Sequence, residues 1–96
     1  MPKDYYVYVL CCADGSYYVG YAQDLERRLK AHSDGRAAPY TARRLPVHVA
    51  YSEKHESIES ARRRELQLKR SSRKKKEALF RGDIAGLKKM SEKRIP

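Results

Sequence analysis

The sequence predicts a small α+β fold of order β-β-α-β-α-α, a three-stranded antiparallel sheet flanked by helices. Three observations carry that expectation. Two runs rich in aromatic and β-branched residues, Tyr5 to Cys12 and Tyr17 to Tyr21, flank Asp14-Gly15, a strong hairpin signal. Two stretches of helical spacing begin at capping residues, Asp24 and Ser57. Between them Val47 to Tyr51 reads as one more strand. A sheet this small must bury its apolar face against helices, which gives the layered class.

The hairpin's register decides which side chains meet. A two-residue Asp14-Gly15 turn would send Tyr8 and Tyr18 to opposite faces, because a one-residue slip inverts every side chain. A three-residue loop with Gly15 as a left-handed bulge pairs Cys12 with Ser16, Leu10 with Tyr18 and Tyr8 with Gly20. We prefer the second. Val7, Val9, Cys11 and Val19 then form one apolar face, while Tyr6, Tyr8 and Tyr18 share the other, beside the side-chain-free Gly20.

In the first helix, capped by Asp24 and closed near Gly35, Leu25, Arg28, Leu29 and His32 form one stripe facing the sheet. Gly35 to Pro46 reads as a loop with Tyr40 and Thr41 among basic residues. The second helix has an inward stripe of Ile58, Ala61, Glu65 and Leu68, continued by Ser72. Glu65 is anomalous on it, since a buried carboxylate must be paired or bind a cation. Ala78, Leu79, Phe80, Ile84 and Leu87 predict one or two terminal helices, with Asp83 as a cap between them.

At 96 residues the chain is expected to form a single domain, with 4–53 holding the hairpin, first helix and third strand and 54–96 a basic helical part. Lys and Arg number 22 against 12 Asp and Glu, a net charge of +10 that implies a polyanionic partner, nucleic acid first. Residues 1–53 hold seven basic and six acidic groups, and 54–96 hold fifteen and six. The excess is therefore C-terminal, marking the first half for chemistry and the second for docking. No apolar run approaches a membrane span and no signal peptide is visible, so the expected location is cytoplasmic, without a membrane partner. Cys11 and Cys12 are adjacent, which suits neither a disulfide scaffold nor a metal pair.

The inward polar set is Tyr8, Tyr18, Arg28, His32 and Glu65, expected near one sheet face. Such a set suits phosphodiester hydrolysis. A carboxylate can hold a divalent cation such as Mg²⁺, which prefers oxygen ligands and keeps several waters. The cation serves as Lewis acid, and an arginine stabilises the charge that grows on phosphorus. A phenol is an unusual base, with a reference pKa of about 10, and needs a nearby cation to depress it. One inward carboxylate favours a one-metal mechanism.

In these motifs the chain resembles the GIY-YIG nuclease domain, in its branch of small single-domain bacterial proteins similar to the nuclease part of eukaryotic structure-specific endonucleases. The first triplet falls on Tyr6-Val7-Tyr8 and the second on Tyr18-Val19-Gly20. Arg28 follows ten residues after Tyr18, and His32 four later; Ala61 to Leu66, ARRREL, resembles the family's glutamate-bearing helix. Tyr40-Thr41 with Arg43, Arg44 and Pro46 resembles a stretch typical of the small branch. The resemblance implies a DNA endonuclease with Tyr8, Tyr18, Arg28 and His32 as catalytic residues and Glu65 as ligand of a divalent metal, Mg²⁺ or Mn²⁺. It assigns the base to the tyrosine pair, and we favour Tyr8 assisted by His32. Residues expected to contact nucleic acid, DNA ahead of RNA, are Tyr40, Arg43, Arg44, Lys69, Arg70, Arg73, Lys74, Lys75 and Lys76. The chain departs from relatives in having Tyr6 in place of glycine, Tyr21 where others have lysine, and no asparagine. The alternative expectation is a non-catalytic or partner-dependent DNA or RNA binder.

Overall fold

The computed structural model describes residues 4–81. Its elements are β1 (Tyr5–Cys11), β2 (Tyr17–Ala22), α1 (Leu25–Ser33), α2 (Pro39–Ala42), β3 (His48–His55), α3 (Ile58–Arg70) and α4 (Arg73–Arg81). The sheet has the order β2-β1-β3, antiparallel throughout, so β1 is central and β2 is an edge. The three-residue hairpin loop is the one formed: Gly15 sits at φ +85°, Cys12 N–H donates to Ser16 O at 2.8 Å, and Tyr8 pairs with Gly20.

That register splits the core as the alternation requires. Val7, Val9 and Val19 pack with Ala61 and Leu68 of α3, and Leu79 and Phe80 of α4 close the same side. On the other face Tyr8, Leu10 and Ala22 pack with Leu25 and Leu29 of α1 and with Val47. Asp24 and Ser57 cap their helices as expected, accepting from Arg27 N–H and Ser60 N–H. Gly35, at φ +76°, closes the α1 end.

Four expectations change. The Gly35 to Pro46 segment contains a short helix, α2, started by Pro39 at its first turn, where proline's missing N–H costs nothing. β3 runs to His55 rather than Tyr51 because Glu53 and His55, though polar, face α3. Ile58 is exposed at the helix start. Ser72 does not continue α3: Ser71 is extended, and Ser72 Oγ instead accepts from Lys75 N–H to begin α4, two serines in a row favouring a break over helix interior. Asp83, Ile84 and Leu87 lie outside the described residues. Among those described, no helix is long and apolar enough to cross a membrane.

A polar clasp fixes α3 on the sheet. Glu53 on β3 accepts from Tyr51 Oη and Arg64 Nε, the latter at 2.9 Å, and meets His55 Nε2, while His55 Nδ1 meets Ser60 Oγ. Burial opposes ionisation of Glu53, but its bonds to Tyr51, His55 and Arg64 outweigh it and hold the carboxyl below its ordinary range. The folded state therefore binds this proton less readily than the unfolded chain. The linked stability is present above the ordinary glutamate pKa and is lost as pH falls through the depressed value. Glu53→Ala leaves Arg64 half-desolvated without its partner and is expected to cost about 2–3 kcal/mol in urea unfolding at neutral pH. In acid, the gap between variant and wild type should shrink.

Candidate active site

Each predicted catalytic side chain is set by its element. Tyr8, 1% exposed, leans from central β1 across β2, where a Cβ on Gly20 would stand 2.6 Å from its hydroxyl oxygen. Tyr8 Oη lies 2.9 Å from Nε2 of His32, the one fully buried side chain of α1. His32 Nδ1 lies 2.8 Å from Thr41 Oγ1 on α2. The imidazole also meets the Tyr18 ring edge to face, 5.2 Å between centroids, and Tyr18 stacks at 6.0 Å on Tyr40.

Arg28, one turn before His32, bears on the Tyr8 hydroxyl. Burial raises the Tyr8 pKa to about 12; the charge and hydrogen bonding of Arg28 pull it down, and Tyr18 and Glu65 push it up. Burial, then Arg28, holds His32 below the ordinary histidine value, so its neutral form dominates. Moving the Tyr8 proton to His32 in the resting site is therefore uphill, because the phenol holds its proton more tightly than usual and the imidazole accepts one less readily.

Glu65 reaches this group from the opposite layer. The expectation that all five side chains lie near one sheet face is corrected: α3 packs on the valine face, and the set is assembled around β2, an edge strand that leaves both faces reachable. A cleft of about 230 Å³ wraps that edge, lined by Tyr17, Tyr18, Val19, Tyr40, Lys69 and Lys76. Glu65 Oε2 is bonded to the cleft residue Lys69 through Nζ at 3.1 Å, not to Arg28, and its side chain stays 20% exposed.

The residues expected to contact nucleic acid separate into three kinds. Lys69, Lys76 and Tyr40 line the cleft. Arg44 and Arg73 hold the fold together: Arg44 bonds Asp14 at 3.0 Å and lies over Tyr40, and Arg73 donates to Gly15 O and lies over Tyr17. Arg43, Arg70, Lys74 and Lys75 are exposed. Lys76 differs from its neighbours in the run, being buried, with Nζ donating to Ser71 O and its pKa lowered by burial.

Two features escaped the sequence. Thr41 sits in a segment too short to show periodicity. A cationic pocket of about 540 Å³ beside Arg28, lined also by Arg27, Lys30 and Arg36, depends on the chain's return after Gly35.

Among the described residues no three His, Cys, Asp or Glu side chains gather as a cage for a metal. A single half-buried carboxylate nonetheless fits a hydrated ion of the Mg²⁺ kind, which often takes only one or two protein carboxylates.

Comparison with known proteins agrees with this geometry. The family model for the GIY-YIG catalytic domain matches residues 4–78, and the chain belongs to that family, whose fold is a nuclease fold. Within it, the chain is similar to the UPF0213 proteins. It is 46% identical over 76 residues to one from Halobacterium salinarum, covering 79% of this chain and 99% of that one. It is 50% identical over 77 residues to one from Streptococcus pneumoniae, covering 80% and 78%. The solution structure of a UPF0213 protein from Bacillus halodurans matches with TM-score 0.52 at 45% identity, covering 79% of this chain and 81% of that one. The solution structure of a protein from E. faecalis matches with TM-score 0.58 at 43% identity, covering 81% of this chain and 83% of that one.

Gly20→Ala should dislodge the Tyr8 ring, because the hydroxyl it would strike is held by His32; a loss of about 1–3 kcal/mol in thermal unfolding is expected. Because the Tyr8 pKa is raised, the folded state holds a proton that the unfolded chain releases near pH 10. Stability should then fall from about pH 10 to about 12, by roughly 2–3 kcal/mol from this residue. Denaturant unfolding of Tyr8→Phe should show a shallower alkaline loss.

Proposed function

We propose that the protein is a metal-dependent endonuclease that hydrolyses DNA phosphodiester bonds, reading its substrate by strand or branch shape. The observation that supports it best is the convergence of His32, Arg28 and the charge of Glu65 on one buried hydroxyl, that of Tyr8. Tyr8, coupled to His32, accepts the proton of the attacking water. Arg28 binds the scissile phosphate and stabilises the charge that develops on it. Tyr18 packs against His32 and walls the site. Glu65 would hold the divalent cation, with Mg²⁺ or Mn²⁺ supplying Lewis acidity when bound. Lys69 and Lys76 line the path of the backbone, and the pocket of Arg27 and Arg36 extends the cationic surface on the other side of Arg28. Nothing in the sequence resembles a base-reading helix or zinc finger, which favours shape over sequence as the basis of recognition. We place the activity in the cytoplasm, in a chain acting as one domain.

A second reading, a nucleic-acid binder that needs a protein partner to cleave, is favoured by one observation. At rest Glu65 is paired with Lys69 and the Tyr8 proton is tightly held. A partner that displaced Lys69 would be the activator.

Purified protein assayed on branched, nicked and single-stranded DNA with Mg²⁺ or Mn²⁺ separates the two. Arg28→Ala and Glu65→Ala are each expected to lower kcat about 10²–10³-fold while binding persists. Arg27→Ala or Arg36→Ala should each reduce the slope of log affinity against log salt by about 1. Binding without cleavage selects the second reading. Cleavage surviving in both catalytic variants sinks the first.

A further inference from the structure

We propose that Thr41 is a positioning residue for the proton of Tyr8, its hydroxyl holding neutral His32 in the tautomer that leaves Nε2 bare. The reasoning follows hydrogen-bond capacity around two side chains with no exposure at all, His32 and Thr41. Among the described residues, the hydrogen-bonding neighbours of the Tyr8 hydroxyl are the Arg28 guanidinium and His32 Nε2, while Tyr18 and Glu65 bear on it through charge. A guanidinium donates only, so the phenolic proton has His32 Nε2 as its acceptor, and that nitrogen carries no hydrogen. A neutral imidazole then carries its hydrogen on Nδ1, 2.8 Å from Thr41 Oγ1. Thr41 is free to accept there because its own proton goes to Ala38 O, 3.2 Å away. Every donor finds an acceptor: Tyr8 O–H to Nε2, Nδ1–H to Thr41 and Thr41 O–H to the backbone. In the reverse arrangement, Nε2–H points at Tyr8 and the buried phenolic proton has no partner, an outcome that costs about a full desolvation penalty.

The kinetic consequence rests on the nuclease reading. When Tyr8 yields its proton, the O–H bond breaks, the pair stays on oxygen and an N–H bond forms at Nε2. Nδ1–H keeps donating to Thr41 in both charge states, so nothing must reorient during the transfer. The phenolate is then reprotonated by the attacking water, whose oxygen bonds to phosphorus. His32 passes its extra proton to the departing oxygen or to solvent.

Nitrogen-15 NMR of the imidazoles in the full chain tests the assignment without any substrate. Wild type should show His32 as the Nδ1–H tautomer. Thr41→Val, close in shape but unable to accept, should lose that single tautomer, and Thr41→Ser should restore it. With an active preparation, Thr41→Val should lower kcat about 10²-fold with KM within about twofold, and Thr41→Ser should recover most of the loss. An Nε2–H tautomer in wild type, or a Thr41→Val protein that keeps both the wild-type tautomer and wild-type kcat, overturns the proposal. If Thr41→Val fails to fold, the wild-type and Thr41→Ser spectra still decide it. If wild type cleaves nothing, the nuclease reading fails while the tautomer spectrum still judges Thr41.

Discussion

A phenol with almost no exposure on the central strand is the constraint around which this fold is arranged. A tyrosine that far inside must give its hydroxyl an acceptor and its ring a space. Gly20 supplies the space by having no Cβ on the neighbouring strand, and His32 supplies the acceptor from α1. The histidine is buried in turn and needs a partner for its other nitrogen, which fixes α2 against α1 through Thr41. Three segments far apart in sequence are thus tied to one hydroxyl, whose burial raises its pKa.

The two layers have separate duties. The face of Tyr8 and α1 holds the Tyr8–His32–Thr41 hydrogen-bond chain, and the valine face carries α3, held by apolar contact and by Glu53. Tyr8 comes near the edge because its ring leans from central β1 over Gly20 of β2, the strand that ends the sheet. An edge position usually invites pairing with another chain. Here the cleft along β2 is instead flanked by Tyr40, Lys69 and Lys76, a border suited to a polyanion rather than to a further strand.

What the sequence made legible follows from which physical rules act locally. The hairpin register was readable because a glycine bulge and the strand alternation allow only one arrangement that keeps Tyr8 and Tyr18 together. The caps at Asp24 and Ser57 were readable for the same local reason. Glu65 was recognisable as anomalous, but its place across the sheet edge was not, since strand order is a tertiary fact. The end of α3 was misplaced because helical spacing was carried through Ser71 and Ser72, whose backbone-bonding hydroxyls prevailed over a continued stripe. Lys76 looked like one more solvated cation of a run; only the start of a new helix turns it inward.

Under the proposed nuclease function, the resting electrostatics bear on what a bound cation would contribute. Arg28 already contributes to the Tyr8 value of about 12, so it cannot be invoked a second time to produce a phenolate. A bound phosphate makes matters worse, adding negative charge beside an oxygen that is to become negative. One further unit of positive charge about 4 Å away is worth roughly 4 kcal/mol under partly shielded conditions, which offsets only part of a cost set by a raised phenol and a lowered imidazole. Lys69, which lines the cleft, is engaged with the very carboxylate that opposes ionisation of Tyr8. A dication on Glu65 would alter both sides at once, neutralising the opposing carboxylate and releasing Lys69 toward the phosphate. Under the proposed function, the Glu65–Lys69 contact is therefore the one whose exchange would prepare the site for cleavage.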